Sequence, residues 1–534
     1  MVAILTAEAW ILIWHFQQPP AALQAPDPSR QGLALFLMHP KALWQILLWW
    51  AGIWLLLMLR RLPALASDLA PRDRPSLHPI WLCSHGLAYL FFFLLSRRIF
   101  DGTTDSLPGS DGLAALWLCL GLLLGIFWLL TLAPLTSWIG VVTRERTSIA
   151  AGIGLGTLGW FLFRTEGLLA GHSLWQSFAK PTLWVVYTLL RATYPEVVYQ
   201  PQDMVVGTPQ FEAEIYYTCS GYEGISLFLI FLSVYLWAFR ADLRFPQVFW
   251  LIPIGVAATY ALNVLRITIL IMIGTSISSE VAVGGFHSQA GWISVTLAAF
   301  CTILLLRRVP AFSVRLQTEA RPIGKEGSLA SALLVPFLVL MATSMVVAAG
   351  SAGFEALYPL KAITTGLALW LYRDQYRRYR WTPSWHAVLI GSVVFAAWIL
   401  AEEPADSGST TAAGLGQLSP LEAGVWLGFR ALNSSLIVPL AEEFAFRGYL
   451  LRRLAFHDFD DARAERFSWL ACIGSSLLFG ALHGRWIAAS AAGLAYAVAF
   501  YHRRRLADAV WAHVTTNSLI AVYAIGFRHW TLWD

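Results

Sequence analysis

The sequence predicts an all-α polytopic membrane protein, with about 14 transmembrane helices in two helical bundles and a small β-hairpin in the non-cytoplasmic loop before Cys219. Three observations predict it. Only 13% of the 534 residues are charged and 57% are hydrophobic, whereas soluble chains carry about 25% charged residues. Apolar runs approaching the roughly 20 residues needed to cross a bilayer recur along the chain, bounded by Arg, Pro or Gly. One polar stretch broken by Pro and Gly, RRVPAFSVRLQTEARPIGKEGS from Arg307 to Ser328, separates two apolar halves. The formal charge of +5 is small and dispersed, so nucleic acid is excluded as a partner and membrane lipids are expected.

In chain order, residues 1–40 form an N-terminal segment with a possible extra span at 3–16; this run carries Glu8 and no basic region ahead of it, so it does not read as a cleavable signal. Residues 41–308 form a first membrane domain, with spans expected near 42–59, 80–95, 113–135, 149–163, 225–239, 248–273 and 292–306. Residues 174–190 are either a short span or an interfacial helix. Residues 309–328 are a cytoplasmic linker, and 329–534 a second membrane domain with spans near 329–349, 356–371, 387–400, 421–440, 469–482, 487–500 and 509–525.

Positive charge in short loops marks the cytoplasmic side. Arg60, Arg61, Arg72 and Arg74, then Arg144 and Arg146, Arg240 and Arg244, and Arg307 and Arg308 alternate consistently as cytoplasmic; Arg97 and Arg98 are the exception. The polar stretch from about Arg164 to Gly224 then lies outside the cytoplasm. Its segment VVYQPQDMVVGTPQFEAEIYYTC, with β-branched and aromatic residues in partial alternation, is the expected hairpin. Five cysteines, four of them in apolar stretches, support neither a disulfide framework nor a CxxC metal site.

Cys219, in TCSGYEG, sits about one turn ahead of a spanning helix, where the helix N-terminus favours negative charge and hence a thiolate. That is a nucleophile's position. Arg266 interrupts the apolar run YALNVLRITILIMIG; burying a guanidinium there costs at least about 2.5 kcal/mol unless it faces a polar cavity or a partner. His287, in GGFHSQAGW, lies in the loop after this span. The topology places all three on the non-cytoplasmic side at similar depth. A thiol, a base and a cation suit acyl transfer: Cys attacks a peptide carbonyl, His moves protons and Arg stabilises thiolate or oxyanion.

TCSGYEG, NVLRI and HSQAG together resemble the exosortase/archaeosortase family of multi-spanning sorting transpeptidases, over roughly residues 40–308. The resemblance implies that Cys219, Arg266 and His287 form a catalytic trio. Its substrates would be proteins ending in a short motif, an apolar helix and a basic tail, cleaved outside the cytoplasm through an acyl-enzyme.

In the second half, PLAEEFAFRGYLL places Glu442 and Glu443 near the end of an apolar span. Glu443 and Arg447 are an i,i+4 pair in the favourable order, which leaves Glu442 as a desolvated carboxylate and candidate general base. FGALHGRW places His483 at a span end, and WAHVTTN places His513 and Asn517 on one helix face. Glu442 and His483 would activate water, while His513 and Asn517 would donate to an oxyanion. EEFAFR, FGALH and HVTTN are similar to the EExxxR, FxxxH and HxxxN motifs of the CPBP family (CAAX proteases and bacteriocin-processing proteins), which are intramembrane endopeptidases, over roughly residues 330–530. The two resemblances together look like the exosortase E type, with Glu443 and Arg447 supporting the second site.

No cofactor is expected, because HExxH is missing and Arg447 opposes a cation near the carboxylates. Zinc on Glu442, His483 and His513 is the alternative. The expected function is therefore a bifunctional protein-sorting enzyme in the inner cell membrane, with its first site facing the periplasm and its second within the bilayer. The rival is a transporter or flippase using Arg266 and Glu442 as intramembrane charge sites.

Overall fold

The computed structural model describes residues 40–58, 61, 65, 69, 79–100, 111–163, 173–314 except 217, 218 and 220, 325–401, 409–455 and 467–533. The possible span at 3–16, the loop arginines 60, 72 and 74, and half of the linker (315–324) lie outside these residues. The chain divides into two compact units: residues 1–168 with 233–238, and residues 169–232 with 239–534. Residues on both sides of the 309–328 linker belong to the second unit.

The first unit holds α1 (Pro40–Met58), α2 (Pro79–Phe100), α3 (Asp111–Leu132), α4 (Leu135–Arg144) and α5 (Arg146–Phe163). Close helix packing in lipid needs small residues at the seam. Here Gly152 and Gly156 supply them: a Cβ on Gly152 would sit 2.8 Å from Cβ of Trp54, and one on Gly156 2.9 Å from Cα of Trp50. On α2 and α3, Trp117 donates to Ser96 Oγ at 2.9 Å, so the indole N–H is satisfied where water is excluded.

The second unit opens with α6 (Ser173–Arg191), followed by a three-stranded antiparallel sheet, β1 (Val198–Gln200), β2 (Val205–Thr208) and β3 (Phe211–Glu214). The expected hairpin is thus one strand short of the observed sheet. The segment carries two turns, at 201–204 and 209–210, each opened by a proline, and two turns join three strands. Leu183, Val186, Val206, Ile215, Val264 and Ile271 form a core that anchors the sheet to α6 and the later α8. The chain then runs through Cys219 into α7 (Tyr222–Ala238, of which 233–238 belong to the first unit), α8 (Leu251–Ser276), a π-helical segment Val281–Phe286 and α9 (His287–Arg308). His287 therefore opens a helix instead of lying in a loop, because the π segment carries the chain directly into α9.

Beyond the linker come α10 (Lys325–Ala349), α11 (Pro359–Leu371) and α12 (Trp385–Leu400). A continuous helical rod follows, made of α13 (Pro420–Leu432), a π segment Asn433–Ile437, α14 (Val438–Glu443), a second π segment Phe444–Leu450 and α15 (Leu451–Ala455). The fold closes with α16 (Trp469–Gly480), α17 (Trp486–Arg503) and α18 (Leu506–Phe527).

Among the described residues, seven helices are long and apolar enough to cross a membrane, and four shorter apolar helices accompany them. The expected count of about fourteen does not follow from these helices: α11, at 13 residues, is about 20 Å long against a hydrocarbon core of about 30 Å.

Candidate functional sites

Arg266 and His287 line a cavity of about 250 Å³ between α7, α8 and α9. Arg266 Nη2 donates to the His287 backbone carbonyl at 2.8 Å, which ties the two helices together at the cavity wall. Cys219 does not line the cavity. It is coupled to it through Asn263, a lining residue whose Nδ2 donates to the Cys219 carbonyl at 2.9 Å. Gly221 makes this approach possible. Its φ of +89° is a conformation glycine adopts without strain, and a Cβ there would stand 3.0 Å from Asn263 Nδ2. Asn263 was not singled out from sequence; a polar amide one turn before Arg266 in an apolar run was the available signal.

The second cavity, of about 270 Å³, is lined by Glu442, His483, His513 and Asn517 together. These come from the rod, the turn after α16, and α18. Arg447 is fully buried and pairs with Glu443 at 3.0 Å, as the i,i+4 spacing predicts, while its Nη2 donates to the Gly493 carbonyl at 2.6 Å. Burying this pair is tolerable only because the charges meet and the guanidinium finds a further acceptor.

Glu443 does more than balance Arg447. Its Oε1 lies 3.0 Å from Nδ1 of His513. A carboxylate held by an arginine can only accept, so Nδ1 is the donor, and Nε2 faces Glu442 Oε2 at 3.9 Å. The Tyr496 ring stacks on His513 at 4.6 Å and 15°, holding the imidazole plane. Glu442 is buried, and its Oε2 makes no hydrogen bond.

His483 Nδ1 lies 2.9 Å from the Phe479 carbonyl, which again can only accept, so neutral His483 presents Nε2 as a base. Burial is the main reason its pKa falls below the ordinary imidazole value; the carbonyl bond opposes the shift and the Arg447 charge adds to it. Asn517 Nδ2 donates to the Ser434 carbonyl at 2.9 Å, fixing the amide against the first π segment.

Among the described residues, no three His, Cys, Asp or Glu side chains are arranged to hold a metal ion. Glu442, His483 and His513 share the cavity wall. Sequence reading also passed over Arg430, which lines the same cavity from inside the expected span 421–440. The signal was present, since a charge in an apolar run is what marked Arg266.

Residues 424–519 match the family model described as Type II CAAX prenyl endopeptidase Rce1-like, and the match includes Glu442, Glu443, Arg447, His483, His513 and Asn517. No curated protein and no solved structure matches the chain. The family match gives the transporter reading no support. The chain is a multi-pass membrane protein whose second half contains a region similar to an intramembrane CAAX-type protease.

Proposed function

We propose that the second half is a Glu/His-dependent intramembrane endopeptidase and that Glu442, His483, His513 and Asn517 carry its chemistry. The observation that carries this reading is their convergence on one cavity, with Glu442 Oε2 buried and making no hydrogen bond. Glu442 takes a proton from water, oriented by Nε2 of His483, as the water oxygen attacks the scissile carbonyl carbon. The carbonyl electron pair moves onto oxygen, where Asn517 and His513 donate to it. The C–N bond then breaks, and Glu442 returns its proton to the departing amine.

The Glu443 contact refines the part played by His513. With Nδ1–H committed to Glu443, Nε2 is the ring atom left to face the oxyanion, and it donates there when it carries a proton. No step requires a metal. Incubating the full-length protein with an N-terminally labelled substrate tests the reading: Glu442→Gln should lower cleavage by about 10²–10⁴-fold, and full proteolysis by Glu442→Gln or His483→Ala would overturn it.

The same proposal assigns the first half to Cys-dependent cleavage and transpeptidation of C-terminal sorting signals outside the cytoplasm of the inner membrane. Its support is the cavity shared by Arg266 and His287 and the Asn263 bond that couples Cys219 to it. Cys219 would attack the substrate carbonyl and form a thioester as the amine leaves; an acceptor amine or water would then release the acyl group. Co-expression with a tagged substrate tests this, and normal processing by Cys219→Ala would reject it.

A further inference from the structure

The protease cavity has a second charged wall that the hydrolytic chemistry does not use. Arg430 lines it twelve residues before Glu442 on the same rod. Its guanidinium is held in place on three sides. The Tyr358 ring lies 4.3 Å from Cζ and the Trp533 ring 5.4 Å, and Nη2 donates to the Trp533 carbonyl at 2.6 Å. Tyr358 is itself buried and locked, since Asn433 Nδ2 donates to its hydroxyl at 2.9 Å.

Among the described residues Arg430 makes no ion pair, and its Nε is buried with no acceptor. The nearby acid, Glu355, is committed to Lys361 at 2.6 Å. Arg430, Lys361 and Glu355 therefore sum to one net positive charge, and of the three Arg430 lines the cavity. Nε is occluded, but among the described residues Nη1 makes no hydrogen bond and is not occluded, so the guanidinium pinned between aromatic rings presents a charged donor to a planar anion.

We propose that Arg430 binds the terminal carboxylate of a peptide substrate whose scissile bond lies at Glu442. The proposal rests on the protease reading above. Twelve residues of helix rise at most about 18 Å, and an extended peptide covers about 3.3 Å per residue. The bound carboxylate would thus lie up to roughly five residues beyond the scissile bond. A peptide is favoured over a lipid phosphate because the guanidinium shares its cavity with the four residues that would cut the peptide.

The test uses full-length Glu442→Gln protein in nanodiscs and an N-terminally fluorescein-labelled dodecapeptide ending in five Leu and Ala residues, as free acid and as C-terminal amide. The free acid should bind about tenfold more tightly than the amide, and adding Arg430→Gln should erase the difference. Arg430→Lys keeps the charge without the fork and should retain part of the preference, which separates recognition from loss of folding. Equal binding of acid and amide, or binding of neither, overturns the proposal. So does a preference that Arg430→Gln leaves intact, or one lost when phosphatidylglycerol replaces phosphatidylcholine in the disc, which would assign the site to lipid phosphate. Turnover of the free acid by the protein with Glu442 intact is scored separately: its absence counts against the protease reading while the binding preference still decides the role of Arg430.

Discussion

The two cavities are close in size, at about 250 and 270 Å³, and lie in one compact unit, yet they organise their charges differently. Around Arg266 the order comes from backbone carbonyls: Arg266 bonds the His287 carbonyl and Asn263 bonds the Cys219 carbonyl. Around Glu442 it comes from a chain of side chains, in which Arg447 holds Glu443 and Glu443 holds His513. Exchanging a donor side chain at the carbonyl-held site removes one hydrogen bond. In the buried charge chain it strands another charge without solvent.

The sharpest way to separate the two sites is to remove one nucleophile-activating group at a time. Glu442→Gln should lower proteolysis by about 10²–10⁴-fold, the usual range for a lost general base, and leave Cys219-dependent processing intact in the same preparation. Loss of both activities would break the comparison, since it would mean that one site cannot work without the other.

Stability should divide the sites next. Arg447→Met strands Glu443 at full burial and should cost about 3–5 kcal/mol, read as a lowered midpoint of thermal unfolding in detergent. Asn263→Ala removes one hydrogen bond to a carbonyl and should cost about 1 kcal/mol, with the loss appearing as slower Cys219-dependent turnover more than as unfolding. If the two substitutions are equally destabilising, the distinction between carbonyl-held and charge-held sites fails.

The smallest effect is in pH. Because burial lowers the pKa of His483, the ring stays neutral further into acid, and its base form is lost only as pH falls below the ordinary imidazole value of about 6.5. The part of the acid limb that His483 contributes, read as the difference between the wild-type protein and His483→Gln, should therefore lie below that value. A limb unmoved in His483→Gln with residual activity would assign it to the general base Glu442 instead.

Much of this was legible in the residues. The i,i+4 spacing of Glu443 and Arg447 predicts their pairing, and the apolar surroundings of Glu442 predict a carboxylate without a partner. The same rule that marks Arg266 applies to Arg430, a charge within the apolar run 421–440. The Glu443–His513 bond was not legible, since the residues stand 70 positions apart and the pattern of either segment is complete without the other. The third strand was hidden because three strands of three or four residues give too few alternations to count.

Composition and pattern alone determine that this chain is helical and built for a bilayer, and which few charges within its apolar runs are too costly to be incidental. Those are local properties: hydration and helix geometry act within a turn or two of each residue. Only the tertiary structure decides that Nδ1 of His513 is spent on Glu443, that Cys219 is coupled to its cavity through Asn263, and that Arg430 makes no ion pair among the described residues. Each of these depends on which donor lies within about 3 Å of which acceptor, a distance set by packing between segments and invisible in either segment by itself.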